Sequence, residues 1–386
     1  MEKIDVDINY VGVDDTKIDL FEGLYAVPNG MKYNSYVIQD EKTAVLDTVD
    51  KAFGEQWLNN VEKALKGKDA DYLIVQHMEP DHSANIVAFA KRYKRAKIVA
   101  TAKAFAMMKN YFNADFLERR IVVEDGDTLC LGKRELLFLT APMVHWPEVM
   151  LTYEKTMKIL FSADAFGRFG TDNDSKDWAC EARRYYFGIV GKYGVQVQNF
   201  FKKLEGYEVK KICPLHGPIL QENIGYYINL YRTWSGYQTE TDGVFIAYTS
   251  VYGNTKEAVE FLAERLKEKG CERVVVSDLA RTDVSEAVEN AFRYGKIVFA
   301  TTTYNGGVFP HMRNFILDLV ERNFQNKKVA FIENGSWAPM ATRMMKDMLE
   351  KCKNLDYTDK DVKILSSVSE ENKKELCSIA EALCKK

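Results

Sequence analysis

Cysteine is sparse and unpaired in this chain: there are seven, and no two are spaced as Cys-x-x-Cys. That spacing gives no zinc ribbon, no cysteine-held iron–sulfur centre and no appended rubredoxin module. Unpaired thiols in a chain of 386 residues predict a reducing, cytoplasmic setting. No uncharged apolar run is long enough for a membrane span, and Met1 to Tyr10 is too charged for a secretory h-region. A net charge of only −3 leaves little for an extended nucleic-acid footprint. The basic cluster Lys91-Arg92-Tyr93-Lys94-Arg95 is expected on a solvated helix face. Internal repeats and low-complexity tracts are absent too. What remains is 46% hydrophobic residues, ample for two cores, in a chain longer than the roughly 50–250 residues of one domain.

Histidine is also scarce, with five residues, and two of them fall in His77-Met78-Glu79-Pro80-Asp81-His82. That segment follows the apolar run Tyr72-Leu73-Ile74-Val75. A strand that ends in a burst of ligand-type side chains fixes the backbone while the loop lets those side chains converge. Pro80 stiffens the loop and lowers the entropy lost on ordering it. The pattern recurs. His145 lies in Met143-Val144-His145-Trp146-Pro147-Glu148, after Leu136-Leu137-Phe138-Leu139. His216 lies in Cys213-Pro214-Leu215-His216-Gly217-Pro218, after Val209-Lys210-Lys211-Ile212. Asp164 follows Ile159-Leu160-Phe161-Ser162-Ala163 and precedes the bend Gly167-Arg168-Phe169-Gly170. Any one such histidine is commonly satisfied by solvent or a hydrogen bond. Four apolar runs that each end in ligands point instead to a metal site at the mouth of a sheet.

This ordering resembles the metallo-β-lactamase fold, an αββα sandwich whose metals sit at strand ends. Zinc hydrolases of that fold usually carry His-x-His-x-Asp-His, and here Glu79 takes the place of the second histidine. A carboxylate there adds negative charge and a hard oxygen donor, a mixture suited to non-haem iron. His-x-Glu-x-Asp-His, then His, Asp and His, is similar to the ligand order of the flavodiiron proteins. The resemblance implies His77, Glu79 and His145 on one iron, and Asp81, His82 and His216 on the other, with Asp164 bridging. It also extends to the early segment Tyr33-Asn34-Ser35-Tyr36, which the turn Pro28-Asn29-Gly30 leads into a strand. Some relatives carry a further histidine just before that segment; Phe21-Glu22-Gly23 occupies the region here, with Glu22 as its counterpart.

The second half carries an independent set of signals. Gly243-Val244-Phe245-Ile246-Ala247-Tyr248 reads as a buried strand, and Lys256 to Lys269 as a helix. Between them lies Thr249-Ser250-Val251-Tyr252-Gly253-Asn254-Thr255, hydroxyls and a glycine that can cradle a phosphate with neutral donors at a helix start. The loop lacks the lysine of a nucleoside triphosphatase and the Gly-x-Gly-x-x-Gly of a dinucleotide fold. It resembles the FMN phosphate loop of flavodoxins. Lys296-Ile297-Val298-Phe299-Ala300 runs into Thr301-Thr302-Thr303-Tyr304-Asn305-Gly306-Gly307, and Lys328-Val329-Ala330-Phe331-Ile332 into Glu333-Asn334-Gly335-Ser336-Trp337. In a flavodoxin-like sheet these loops would flank the isoalloxazine ring at the carboxyl ends of the strands, with Tyr304 and Trp337 as its flat neighbours.

The expected fold is therefore α/β: a metallo-β-lactamase-like αββα domain over residues 1–240, then a flavodoxin-like doubly wound parallel sheet over 243–386. The polar, non-periodic stretch Trp234-Ser235-Gly236-Tyr237-Gln238-Thr239-Glu240-Thr241-Asp242 is taken as the linker. The resemblance implies FMN and two irons as cofactors, rubredoxin or a similar protein as electron donor, and a head-to-tail homodimer or a dimer of such dimers. The implied reaction is reduction of dioxygen to water, of nitric oxide to nitrous oxide, or both. Two electrons on a reduced FMN and two on the iron pair are enough to take dioxygen to water, and paired metals about 3.5–4 Å apart can clamp a diatomic. Two other classes fit parts of the pattern: a zinc hydrolase with a regulatory flavin domain, and an electron carrier whose metal site is idle.

Overall fold

Thr43–Leu46 and Tyr72–Ile74 are buried at every position, which is what strands covered on both faces require. In the computed structural model, which describes residues 3–172 and 178–385, they lie near the middle of a seven-stranded sheet. Its strands are β1 (Lys3–Asp5), β2 (Ile8–Tyr10), β3 (Tyr36–Gln39), β4 (Thr43–Leu46), β5 (Tyr72–Ile74), β6 (Lys97–Ala100) and β7 (Arg120–Val122), side by side in chain order. Pairing is antiparallel from β1 to β4 and parallel from β4 to β7. A second sheet holds β8 (Thr128–Cys130), β9 (Glu135–Thr140), β10 (Met150–Glu154), β11 (Ile159–Phe161) and β12 (Lys211–Cys213), again in chain order, with only β11 and β12 parallel.

Period-two alternation divides the side chains of the first sheet between two cores. Val37, Val45 and Leu73 join α1 (Gly54–Leu65), α3 (Ile86–Arg92) and α4 (Ala102–Phe112) on the outer face. Ile38, Leu46 and Ile74 meet Leu136, Phe138, Met150 and Phe161 of the second sheet on the inner face. Each such aliphatic side chain contributes about 1.5–3 kcal/mol on burial. α5 (Trp178–Tyr185) follows β11 in the chain, and α6 (Gly194–Leu204) packs on β9 of the second sheet. The result is an αββα sandwich, as expected. Its strand β12 starts at Lys211, two residues later than the apolar run suggested.

The chain divides into two compact units, Met1–Arg232 and Thr233–Lys386. Helix α7 spans Ile224–Ser235 and the next strand opens at Thr241, so the expected linker is helical at its start and extended at its end. The basic cluster does not form a helix face either. α3 stops at Arg92, Tyr93 is buried, and Arg92 and Arg95 pair with Glu62 and Asp69.

The second unit alternates β13 (Thr241–Tyr248), α8 (Asn254–Glu268), β14 (Val274–Asp278), α9 (Val284–Arg293), β15 (Tyr294–Tyr304), α10 (Pro310–Glu321), β16 (Gln325–Asn334), α11 (Ala341–Met348), β17 (Lys353–Tyr357), β18 (Val362–Ile364) and α12 (Glu370–Cys384). The sheet order is β14-β13-β15-β16-β17, all parallel, the doubly wound order in which a ligand sits at the switch point between β13 and β15. The edge is split: β17 pairs with β16 over Gln325–Val329, and β18 continues beside it over Ile332–Asn334. α12 begins with a capping box between Ser369 and Asn372.

Candidate functional site

Every expected metal-type ligand of the first unit lies just beyond a strand end or on a loop joining two strands. His77 follows β5, and Asp81 and His82 sit in the short helix α2 (Pro80–Ser83), which Pro80 opens. His145 lies between β9 and β10, Asp164 follows β11 and His216 follows β12. These seven side chains form two groups, His77–Glu79–His145–Asp164 and Asp81–His82–His216. In the first, Glu79 Oε2 lies 3.2 Å from His77 Nε2 and 3.0 Å from His145 Nε2. Asp164 Oδ2 lies 3.3 and 3.0 Å from the same two nitrogens. In the second, the Nε2 atoms of His82 and His216 are 3.0 Å apart, and Asp81 Oδ2 is 3.3 Å from each. Asp164 Oδ1 faces this group, 3.3 Å from His82 and 3.7 Å from His216. One carboxylate thus turns an oxygen toward each group.

These approaches are close, yet neither oxygen of Asp164 nor of Asp81 has a donor aligned for a hydrogen bond, and both residues are buried. Lone pairs that converge without a proton between them suit a cation, and buried carboxylates left without one are costly. The donor set is mixed nitrogen and oxygen, which fits iron. The electrostatics agree. Burial opposes charge on His145, but its contacts with Asp164 and Glu79 prevail and raise it to about 9. Burial likewise opposes charge on His77, and Asp164 outweighs it, pushing that group well above its ordinary value. The pocket draws positive charge.

The far nitrogens of two rings are committed elsewhere. His77 Nδ1 donates to Glu148 Oε1 at 2.9 Å, and that oxygen also accepts from Met78 N at 2.8 Å. His216 Nδ1 donates to Lys32 O at 2.7 Å. Both bonds fix the tautomer that leaves Nε2 free as a ligand. Asp47, left-handed at φ +52° after β4, receives the amides of Gln76 and His77 at 2.7 and 3.3 Å and so sets the start of the ligand loop. Burial raises Asp47 to about 6 against those bonds. Asn34 Nδ2 donates to Pro214 O and Gly217 O at 2.8 and 2.9 Å, and Ser35 Oγ to Leu46 O and Asp47 O at 3.0 Å, so the Tyr-Asn-Ser-Tyr segment braces the His216 loop and the end of β4 at Asp47. Sequence reading missed Asp47 and Lys32 and gave Glu148 no role.

Glu22 does stand beside the site. It is exposed at its surface and left-handed at φ +53°, and desolvation and then repulsion from Glu79 push its carboxyl up to about 7. Tyr185, fully buried with its ring centre 5.4 Å from that of His216, keeps its phenol protonated through burial and the charge of Asp164. Replacing Glu148 with alanine strips His77 Nδ1 and Met78 N of their acceptor. Iron affinity should fall about 10–100-fold, read by competition with a chromophoric chelator, while flavin content holds. Unchanged affinity would remove Glu148 from the account.

In the second unit the three expected loops surround a cleft of about 560 Å³. Of the sequence-derived residues, Ser250, Val251, Tyr252, Asn254, Thr255, Thr302, Thr303, Tyr304, Asn305, Gly306, Asn334, Gly335, Ser336 and Trp337 line it; Thr249, Gly253 and Gly307 do not. Thr249 is instead buried, its hydroxyl 2.6 Å from that of Thr301. Gly253, at φ +98°, turns the chain into α8. Among the described residues no charged side chain lines the cleft. The buried hydroxyls of Thr255 and Thr302 have no partner, and the start of α8 opens beside them, as a phosphate held by neutral donors requires. Tyr304 and Trp337 are 47% and 83% exposed at its wall, flat apolar faces of the kind a flavin ring would cover. Ala338, Met340 and Ser366 also line the cleft and were not foreseen. Ser366, left-handed at φ +72° after β18, is clamped by Asn334, whose side chain bonds both its amide and its carbonyl, at 3.2 and 3.0 Å.

A metal-binding αββα domain joined to a flavin-type doubly wound domain defines the class of this protein. Residues 31–217 match the model of the ODP family beta lactamases, and residues 245–363 that of a flavodoxin domain. An uncharacterised protein of Methanocaldococcus jannaschii is 32% identical over 361 residues, 91% of this chain and 88% of that one. The anaerobic nitric oxide reductase flavorubredoxin of Salmonella arizonae is 28% identical, covering 89% of this chain and 74% of that one. The rubredoxin oxygen:oxidoreductase of Desulfovibrio gigas superposes with a TM-score of 0.92 at 26% identity, over 99% and 97% of the two chains. The flavodiiron protein of Giardia intestinalis shares the fold at a TM-score of 0.91, with 24% identity over 99% and 97%. The chain belongs to the flavodiiron protein family. The flavodoxin domain implies FMN, and the two ligand groups of the first unit suit a pair of metal ions.

Proposed function

We propose that this chain is an FMN- and diiron-dependent oxidoreductase that reduces dioxygen to water, nitric oxide to nitrous oxide, or both, with electrons from rubredoxin or a similar donor. The observation that carries the reading is Asp164, whose two oxygens face two separate ligand groups. His77, Glu79 and His145 would hold one iron, Asp81, His82 and His216 the other, with Asp164 shared. When bound, the irons and FMN supply the electrons and the paired metal site at which a diatomic gas is held. The chain orients that site. Glu148 and Lys32 O hold the Nδ1 protons of His77 and His216 away from it, and Asp47 fixes the loop on which His77 sits. In the flavin cleft, Thr255, Thr302 and the start of α8 would receive the phosphate, and Tyr304 and Trp337 would flank the ring. A zinc hydrolase of the same fold is disfavoured, because Glu79 stands where that class uses histidine and two relatives spanning both units, the rubredoxin oxygen:oxidoreductase and the nitric oxide reductase flavorubredoxin, are oxidoreductases. Protein expressed with iron in excess should contain two irons and one FMN per chain by elemental and flavin analysis. Zinc at that stoichiometry would overturn the assignment.

Seven cysteines with no Cys-x-x-Cys spacing support a cytoplasmic location. The two sites belong to separate units, and a head-to-tail homodimer, alone or paired into a dimer of dimers, would set the flavin of one chain against the irons of the other. Mixing His82→Ala/His145→Ala with Asn254→Ala/Thr255→Ala under subunit exchange should regain activity through one intact pairing. Exchanged mixtures that stay inactive would contradict this assembly.

A further inference from the structure

Two cysteines with no part in either site meet at one carbonyl oxygen of the second unit, Cys271 through its backbone amide and Cys384 through its thiol. α8 ends at Glu268, and the chain turns back through Gly270, at φ +84°. That turn lets Cys271 N donate to Leu266 O at 3.0 Å. From the other side, Cys384 at the end of α12 sets its Sγ 3.9 Å from the same oxygen. These two distances hold the Cys384 sulfur within about 7 Å of the Cys271 nitrogen, so a sulfur–sulfur bond calls on rotation of both side chains and a shift of the α12 end toward the turn. The exposed ion pair Lys269–Glu381, at 2.9 Å, ties the same two segments one turn earlier on α12. Both thiols are part-buried against the core that holds Leu262, Leu266 and Leu383. The Cys271 sulfur makes only a weak bond to Arg273 O at 3.5 Å, so rotation about its Cα–Cβ bond is cheap.

We propose that Cys271 and Cys384 are a modification site: a reversible disulfide, formed when the protein meets a hydroperoxide, that clamps the end of α12 to the turn after α8. One thiolate attacks the peroxide, whose O–O bond breaks, giving a sulfenic acid and releasing water. The second thiol then attacks that sulfur, an S–S bond forms, and the remaining oxygen leaves as water with the second thiol's proton. Two sulfurs lose two electrons in all, and the peroxide gains them. The electrostatics accord with the proximity: burial and then the neighbouring Cys271 push Cys384 upward, against the pull of Lys296 and Lys269. The ring so closed runs from β14 to α12 and takes in most of the flavin domain, while neither thiol lines the flavin cleft. Oxidation therefore stiffens the domain without entering its binding site.

The test uses full-length protein carrying flavin and metals. It is treated with one equivalent of hydrogen peroxide, alkylated in denaturant and mapped by mass. The expected product is a single Cys271–Cys384 cross-linked peptide in a chain about 2 Da lighter, reversed by a dithiol reductant. The thermal midpoint of the flavin domain should rise on the order of 5 °C or more, with flavin content unchanged. Cys384→Ser should lose the cross-link and the shift, and Cys352→Ser should keep both. Thiols that are alkylated separately or over-oxidised, a bridge to Cys352 or Cys377, or a link to another chain would overturn the proposal.

Discussion

Asp164→Ala should deplete both metal positions at once. Each of the other six ligand-type residues belongs to one group, whereas the Asp164 oxygens are divided between the two. Removing it takes an anionic donor from both and leaves His77, His82 and His145 facing one another across a buried pocket with less negative charge to hold a cation. The affinity loss should exceed the about 10–100-fold that follows loss of an outer hydrogen-bond partner. Iron as isolated should fall from two per chain to a small residue, while FMN, held by the other unit, stays at one. His216→Ala makes the contrast, because it subtracts a ligand from the second group alone and should leave about one iron. Equal retention of iron by Asp164→Ala and His216→Ala would mean that Asp164 is not shared.

Glu79→His should convert the iron site into one that prefers zinc. The substitution exchanges a hard anionic oxygen for a neutral imidazole nitrogen and recreates the pattern of the zinc hydrolases. Glu79 Oε2 meets both His77 and His145, so its loss removes the negative charge on which two imidazoles converge. Burial works against the ionised form of Glu79, but its bonds to His145 and His77 dominate and lower it far below the usual carboxylate range, so it is an anion at any working pH. Grown with both metals present, the variant should hold zinc in excess of iron, reduce gas at least about 100-fold more slowly, and keep its FMN. Full iron and full turnover in Glu79→His would show that Glu79 is no ligand.

The candidate ligands were legible because metal chemistry restricts such groups to a few residue types and the fold puts them next to strand ends, where an apolar run followed by His, Asp or Glu is visible in the sequence. Their supports were not. Glu148 reaches His77 across 71 residues of chain, and the carbonyl that holds His216 belongs to Lys32, 184 residues away. Nothing in local composition marks such pairs, since they exist only once two sheets face each other. Asp47 was hidden for a related reason: an aspartate after a strand reads as a turn, and its left-handed backbone and two amide bonds appear only in three dimensions. In the flavin domain, three loops were readable from hydroxyls and glycines after buried strands. The fourth, at Ser366, was obscured because the edge strand is split and its second piece, Val362–Ile364, is three residues long. The linker was misplaced by a few residues. Tyr227, Tyr231 and Trp234 form a buried stripe at helical spacing, which carries α7 on into a stretch whose polarity suggested a loop.

The most direct measurement of the central claim starts with protein reduced without air to four electrons per chain, then mixed with limiting dioxygen, or with nitric oxide in a parallel run, while flavin absorbance and products are followed together. The expected result is four electrons lost per dioxygen consumed, with water and no peroxide as product, or nitrous oxide from nitric oxide, with the flavin reoxidised as the gas disappears. A flavin that stays reduced while the gas is untouched, or peroxide released in proportion to the dioxygen consumed, would contradict it.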